Sequence, residues 1–238
     1  MSRNVSKAML MAAGLGTRMR PLTDKTPKPL VEFDGKPLID HALDRLEEAG
    51  IEEVVVNVHY LADRLEAHLK KRKTPVTVIS DERDALLDTG GGVKKALPLL
   101  GDDPVLTFNS DSVWVEGYGS NLRDLIDAFD PDRMDALLMI ADAVRTVGYC
   151  GRGDFTMDPD GRLTRREEST TAPYMFAGVQ VIKPALFKDG PEGAFSTNRI
   201  WDGLIEKGTL YGQRMQGLWM HVGSPEDLRD AEAALKET

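Results

Sequence analysis

The sequence predicts an α/β fold, a Rossmann-like mixed and mainly parallel sheet flanked by helices, on three observations. Short apolar or β-branched runs alternate with helical patterns at crossover spacing, as right-handed parallel units require. The first such run passes straight into a Gly-x-Gly turn. Past residue 150 the alternation gives way to short strands around turn dipeptides, so the sheet becomes mixed there.

KAMLMAA (7–13) is apolar and stops at glycine, the mark of a buried strand. The stretch before it, MSRNVSKAMLMAAG, has basic residues and a short apolar run. That run is too short for a signal peptide and flows into the glycine turn, so it reads as the first strand. PLIDHALDRLEEAG (37–50) repeats apolar side chains at helical spacing up to Gly50. EEVVVNV (52–58) is a strand, LADRLEAHLKKR (61–72) a helix and PVTVIS (75–80) a strand. A glycine triplet then precedes a helix at 91–100. A strand at 104–111, a helix at 119–129 and a fifth strand at 135–142 follow. Asp160-Gly161 makes a turn between two short strands. YMFAGVQVI (174–182) is a strand and 197–208 a helix. LYGQRM and GLWMHV read as two short strands around Gln216-Gly217. In SPEDLRDAEAAL, Ser224 is an N-cap, Pro225 suits the first helical position and Asp227 completes a capping box. No linker or repeat interrupts the 238 residues. They read as one domain, whose pattern changes between a first half at about 1–143 and a second at about 144–238.

Composition narrows the function. A net charge of −9 argues against a general nucleic-acid binder, which needs a basic face. No apolar run reaches the roughly 20 residues of a membrane span. The single cysteine, Cys150, excludes an intrachain disulfide and suits a reducing cytoplasm. Against that acidic background, Arg18, Arg20, Lys25 and Lys28 crowd around the glycine turn. Backbone N–H groups in such a turn can face an anion without Cβ obstruction. The turn is neither a Walker loop, because Thr17-Arg18 follows Gly16, nor a dinucleotide fingerprint, because Met19 stands where glycine is needed. Arg18 can fork onto two phosphate oxygens. Lys28, between Pro27 and Pro29, has a stiff backbone that aims its side chain. At an effective dielectric of about 20, one charge pair at about 4 Å is worth roughly 4 kcal/mol, so a few cations offset much of the repulsion between phosphates.

These residues carry a resemblance. AMLMAAGLGTRMRPLTDKTPKPLVEFDGKPLIDH (8–41) is similar to the signature of the sugar-1-phosphate nucleotidylyltransferases: a strand, then G-x-G-T/E-R-x-x-P-L-T, then x-P-K-P-L. Asp88-Thr89 with its three glycines, and the late Trp219–Gly223 segment, extend the likeness over most of the chain. The length and the run GRGDF (151–155) look most like the branch that joins UTP to N-acetylmuramate-1-phosphate. Mannose-1-phosphate guanylyltransferases are also similar. The resemblance implies the nucleotide-diphospho-sugar transferase type of sheet, and an enzyme that takes a nucleoside triphosphate and a sugar-1-phosphate and releases pyrophosphate. It implies a nucleotide-binding half at about 1–143 and a sugar-binding half at about 144–238, and that Ala13, Gly14, Gly16 and Thr17 hold the nucleotide. Arg18 stabilises the triphosphate, and Lys28 reaches the α-phosphate or the sugar phosphate. Asp88, Gly90 and Gly91 lie against the base, and Asn109 contacts the sugar. Asp111 ligates Mg²⁺, a role suited to a hard carboxylate at the end of a parallel strand.

In two places the chain departs from the family pattern. His221 stands where a second metal-binding aspartate is usual. It is read as a metal ligand favouring Mn²⁺, as a donor to phosphate or sugar, or as absent from the metal shell with Asp142 helping Asp111. Glu167-Glu168-Ser169 replaces the usual E-K-P, so Glu167 is expected on the sugar hydroxyls and Arg165 or Arg166 in place of the lysine. Gly178 matches the family's small residue beside the sugar. Arg152, with Gly153, is the candidate for a sugar carboxylate. A monomer or homodimer is expected, without nucleic-acid or membrane partners. Two other classes stay open, a nucleotide-sugar-dependent glycosyltransferase and a non-catalytic nucleotide binder, and pyrophosphate release separates them from the first.

Overall fold

The computed structural model describes residues 5–237; the first four residues of the basic N-terminal stretch and Thr238 lie outside them. β1 (Lys7–Met11) leads into a loop and a two-residue hairpin, β2 (Glu32–Phe33) and β3 (Lys36–Pro37). Then come α1 (Leu38–Glu48), β4 (Glu53–Val58), α2 (Ala62–Leu69), β5 (Val76–Asp81) and α3 (Asp88–Leu100). β6 (Val105–Asn109) is followed at once by β7 (Ser112–Glu116), then α4 (Asn121–Ala128) and β8 (Ala136–Asp142). The second half holds β9 (Phe155–Met157), β10 (Leu163–Arg165), β11 (Tyr174–Ile182), α5 (Asn198–Lys207), β12 (Leu210–Arg214), β13 (Gly217–His221) and α6 (Pro225–Leu235).

β5, β4, β1 and β6 run parallel in that order. β11 inserts antiparallel between β6 and β8, and β12 extends the sheet parallel to β8. The expected mixed, mainly parallel sheet is the observed one, and it draws strands from both halves of the chain. Its faces carry two cores. One joins Leu10, Val54, Val56 and Phe108 to Leu43, Leu65 and Leu125 of α1, α2 and α4. The other joins Met9, Val55 and Ile140 to Val93, Ala96, Trp201 and Leu204 of α3 and α5. α1 buries Leu38, Ile39, Ala42, Leu43 and Leu46, the one-sided stripe its sequence showed. Ser224 Oγ accepts the Asp227 N–H at 3.1 Å and caps α6, a contact worth about 1 kcal/mol.

Three expectations are corrected. The glycine triplet does not precede α3, which starts at Asp88, but lies in its first turns, where Phe195, Gly193 and Glu82 pack against it. The 104–111 strand ends at Asn109, and Ser112–Glu116 forms a separate strand. LYGQRM and GLWMHV are not partners: β12 joins the main sheet, whereas β13 pairs antiparallel with β7. That small ribbon packs Val113 and Met220 on Met19, Phe33 and Ala231, which ties the loop after β1 to the end of the chain.

Candidate active site

β1 ends at the carboxyl edge of the sheet, where the loop turns away. Its entry is fixed by Asn57 at the end of β4, whose Oδ1 accepts the Ala12 N–H at 2.7 Å. The two loop glycines serve different ends. Gly16 has φ +63°, and a Cβ there would sit 3.0 Å from both Lys28 Cβ and Thr23 Cγ2, so the fold itself demands glycine. Thr23 Oγ1 locks the turn by donating to Gly16 O at 2.7 Å. A Cβ on Gly14 would meet nothing within 4 Å; the space it leaves opens into a cavity. Thr17–Met19 form one tight helical turn, anchored by fully buried Met19, with Arg18 exposed beside it.

Lys28 is held by Pro27 and Pro29 in a second such turn. Its side chain is 13% exposed, and Nζ lies 2.5 Å from Asp111 Oδ2, in the tight turn between β6 and β7. Burial pushes the Asp111 carboxyl up, but the Lys28 ammonium, by charge and hydrogen bond, and His221 hold it below the usual aspartate value. His221, at the end of β13, stacks on Trp219 with ring centroids 5.8 Å apart and lies 3.9 Å from Asp227 Oδ2. Burial lowers its pKa despite Asp111 and Asp227, which favours the neutral ring.

Two chambers meet at this pair. The first, about 520 Å³, is lined by Ala13, Gly14, Asn57, Glu82, Asp88 and Thr89. The second, about 390 Å³, is lined by Arg18, Gly178, His221, Tyr149, Asp154 and Trp201. Asn109, Asp111 and Thr89 border both. A smaller hollow of about 230 Å³ lies among Gly14, Gly16, Thr17, Arg18, Lys28 and Gly223. Two ligands placed one in each chamber would meet at Asp111, with Lys28 on the first chamber and Arg18 on the second as the cations beside the junction. Such an arrangement positions and neutralises anions; it contains no nucleophile-base pair.

The structure gathers Ala13, Gly14, Gly16, Thr17, Arg18, Lys28, Asp88, Asn109, Asp111, Gly178 and His221 around these spaces. It leaves others out. The Gly90 and Gly91 N–H groups both donate to Phe195 O, at 2.8 and 3.1 Å, so neither offers a free donor to a base. A Cβ on Gly91 would lie 2.4 Å from Gly193 O; these glycines admit the 188–197 segment onto α3. Asp142 is not beside Asp111: it pairs with Arg214 in a separate cavity behind Trp219. Arg152 and Glu167 are exposed and line neither chamber. Arg165 pairs with Asp202, and Arg166 is spent on the carbonyls of Gly153, Glu167, Glu168 and Thr170. Gly178 faces the second chamber, yet a Cβ there would lie 1.8 Å from Ser112 Oγ, so packing on Ser112 already requires it.

Some site residues escaped the sequence reading. Glu82 is 0% exposed, accepts from Asn57 Nδ2 at 2.8 Å, and forms the floor of the first chamber. Asn57 and Glu82 stand at or just past the ends of β4 and β5, where ligands gather in such sheets, and that position was the available signal. Tyr149 and Asp154 lie in loops, without such a marker.

A model of the nucleotidyl transferase family matches residues 7–238. The chain belongs to that family. It is 48% identical to an N-acetylmuramate alpha-1-phosphate uridylyltransferase of Caulobacter vibrioides, over 100% of both chains. It is 36% identical to a protein of the same name from Neisseria meningitidis, over 95% of this chain and 97% of the relative. Among solved structures, a UDP-glucose pyrophosphorylase from Acinetobacter baumanii superposes with a TM-score of 0.78 at 20% identity, covering 97% and 93% of the two chains. That last likeness bears on fold alone. The membership agrees with the family resemblance of the glycine-loop signature.

Proposed function

We propose that this nucleotidyl transferase joins UTP to N-acetylmuramate α-1-phosphate, releasing pyrophosphate and giving a UDP-sugar. The observation that carries the reading is full-length 48% identity to a protein of that activity by name, in a chain that keeps Arg18, Lys28 and Asp111 at the junction of two chambers. UTP takes the first chamber, with its base towards Glu82, Asp88 and Thr89 and its phosphates at the glycine loop. The sugar takes the second. An oxygen of the sugar phosphate attacks the α-phosphorus of UTP; a new P–O bond forms as the bond to the bridging oxygen of the β-phosphate breaks. Lys28 neutralises the reacting phosphates, and Arg18 holds the departing pyrophosphate in the hollow by Thr17 and Gly223.

A divalent cation fits this donor set. No group of three His, Cys, Asp or Glu suited to a metal occurs among the described residues, but Mg²⁺ is commonly held by one or two carboxylates with phosphates and waters. Asp111 would hold it, and an imidazole from His221, which lies within the field of Asp111, would favour Mn²⁺ as an alternative. The ion would add positive charge where phosphates meet. No helix among the described residues is long and apolar enough to cross a membrane. The reading includes a cytoplasmic enzyme, monomeric or homodimeric.

The test is pyrophosphate release with Mg²⁺ and then Mn²⁺, crossing UTP, GTP, dTTP and CTP with a panel of sugar-1-phosphates. UTP with N-acetylmuramate-1-phosphate is expected to exceed every other pair. Preference for GTP with mannose-1-phosphate would replace this reading, and silence throughout would refute it.

A further inference from the structure

In the run GRGDF (151–155), Arg152 is exposed. The rest of the run is built inward. Gly153 has φ +74°, and a Cβ there would sit 2.1 Å from Ala172 O. Its N–H donates to Tyr149 Oη at 3.1 Å. A Cβ on Gly151 would lie 2.3 Å from the Tyr149 ring. Gly151 therefore leaves room for Tyr149 to fold back against this loop and face the second chamber, while Gly153 lets the loop pass close to Ala172 O.

Asp154 is fixed from three sides. Its N–H donates to Tyr174 O at 2.7 Å, its carbonyl accepts the Arg166 N–H at 2.9 Å, and its Oδ2 accepts the Phe176 N–H at 2.9 Å. Oδ1 has no hydrogen-bond partner among the described residues, and the residue lines the second chamber. Burial pushes the Tyr149 phenol up, and the Asp154 carboxylate raises it further, which places the two groups within each other's field. Beside them Phe176 meets Trp201 edge-on, with centroids 4.8 Å apart. Apart from Asp111, Asp154 is the one carboxylate on this chamber's described lining.

We infer that Asp154 is a specificity-determining contact: its open oxygen accepts a hydrogen bond from a hydroxyl or amide N–H of the sugar seated against Phe176 and Trp201. The inference rests on the second chamber being the sugar-1-phosphate site. It gives the GRGDF run a purpose, since Gly151 and Gly153 pose Tyr149 and Asp154 while Arg152 stays outside. It also orients the sugar: a carboxylate repels an anionic substituent, so such a group must face away from Asp154.

Asp154→Asn keeps an oxygen for the Phe176 N–H and removes the charge. Expected is a fall of about 10- to 100-fold in kcat/KM for the sugar-1-phosphate, the span of a charge-assisted hydrogen bond, with KM for UTP within about twofold of wild type. Single-deoxy sugar-1-phosphates locate the contact. Wild type should lose activity on the analogue lacking the bonded hydroxyl, and the variant should lose nothing further on that analogue. For the amide, the 2-hydroxy sugar without the N-acetyl group plays the same part. Wild-type sugar kinetics in the variant would overturn the contact, and so would equal losses for UTP and sugar. Should Asp154→Asn not fold, Asp154→Ser, which can still meet the Phe176 N–H, carries the same expectations. A wild-type enzyme that uses no sugar-1-phosphate at all would instead remove the reading of the chamber, and this contact with it.

Discussion

Lys28 and Asp111 show what one framed side chain achieves. An ordinary lysine wanders on a four-carbon stem; this one is pinned by two prolines and points its ammonium at a carboxylate 2.5 Å away. Lys28→Ala removes that charge from the place where phosphates meet. The expected loss is about 10²–10³-fold in kcat/KM, the size seen when one preorganised donor is deleted, with the circular dichroism spectrum unchanged. A loss under tenfold would show that Lys28 only balances Asp111. Arg152 predicts the reverse. It is exposed and outside both chambers, so Arg152→Ala should leave the kinetics with N-acetylmuramate-1-phosphate within about twofold. Glu82 offers a pH test. Burial raises its carboxyl above the ordinary glutamate value, despite Asn57 and Leu87 as donors. The folded state therefore holds this proton more tightly than the unfolded state, and the stability it contributes is lost as pH rises through the raised value. Glu82→Gln cannot ionise. Its melting temperature should gain on wild type as pH rises from the ordinary glutamate range to neutrality, and a pH-independent difference would contradict the assignment.

At the scale of elements, α3 departs furthest from its sequence. Glycines in a helix usually weaken it, by about 1 kcal/mol each against alanine, and that rule favours a loop at residues 90–92. Here tertiary packing prevails: Gly90 lies under Phe195, Gly91 under Gly193 O and Gly92 against Glu82. Thr89 Oγ1 accepts the Thr197 N–H at 2.9 Å, so the segment seated on these glycines borders both chambers. Gly91→Ala sets a methyl 2.4 Å from a backbone oxygen, and the segment must move. KM should rise for both substrates together, with a lower melting temperature; an effect on one substrate alone would mean the segment does not bridge the two sites. The strands tell the same story about range. β1, β4 and β8 were legible because their apolar pattern is local. The β7–β13 ribbon was not, because it pairs residues about a hundred positions apart, Ser112 with His221, and neither short run names its partner. The glycine loop, Arg18 and Lys28 could be read as one local signature, and Asp111 from its place just past the end of a parallel strand. Asp154 could not, because its role depends on Phe176 and Tyr149 meeting it in space.

Across the whole molecule, one sheet joins the two halves of the chain. β11, from the second, lies between β6 and β8 of the first, and β12 extends the same sheet, so neither half closes its hydrogen bonding alone. At 238 residues a chain can unfold in stages, but this interleaving opposes it. The tryptophans make the point measurable. Trp114 and Trp219 belong to the core on one face of the sheet and Trp201 to the core on the other. Trp201→Phe leaves fluorescence reporting the first face, and Trp114→Phe with Trp219→Phe leaves it reporting the second. Urea midpoints from each fluorescence signal and from far-UV circular dichroism of the same variant are expected to coincide. UTP at about 100 times its Kd should then add about 2.7 kcal/mol to both faces, although the chamber proposed for it is built mainly by the first half of the chain. Separate midpoints, or a UTP shift confined to one reporter, would show that the two substrate chambers sit on units able to open independently. In that event the junction at Lys28 and Asp111 would be assembled by the substrates rather than standing ready for them.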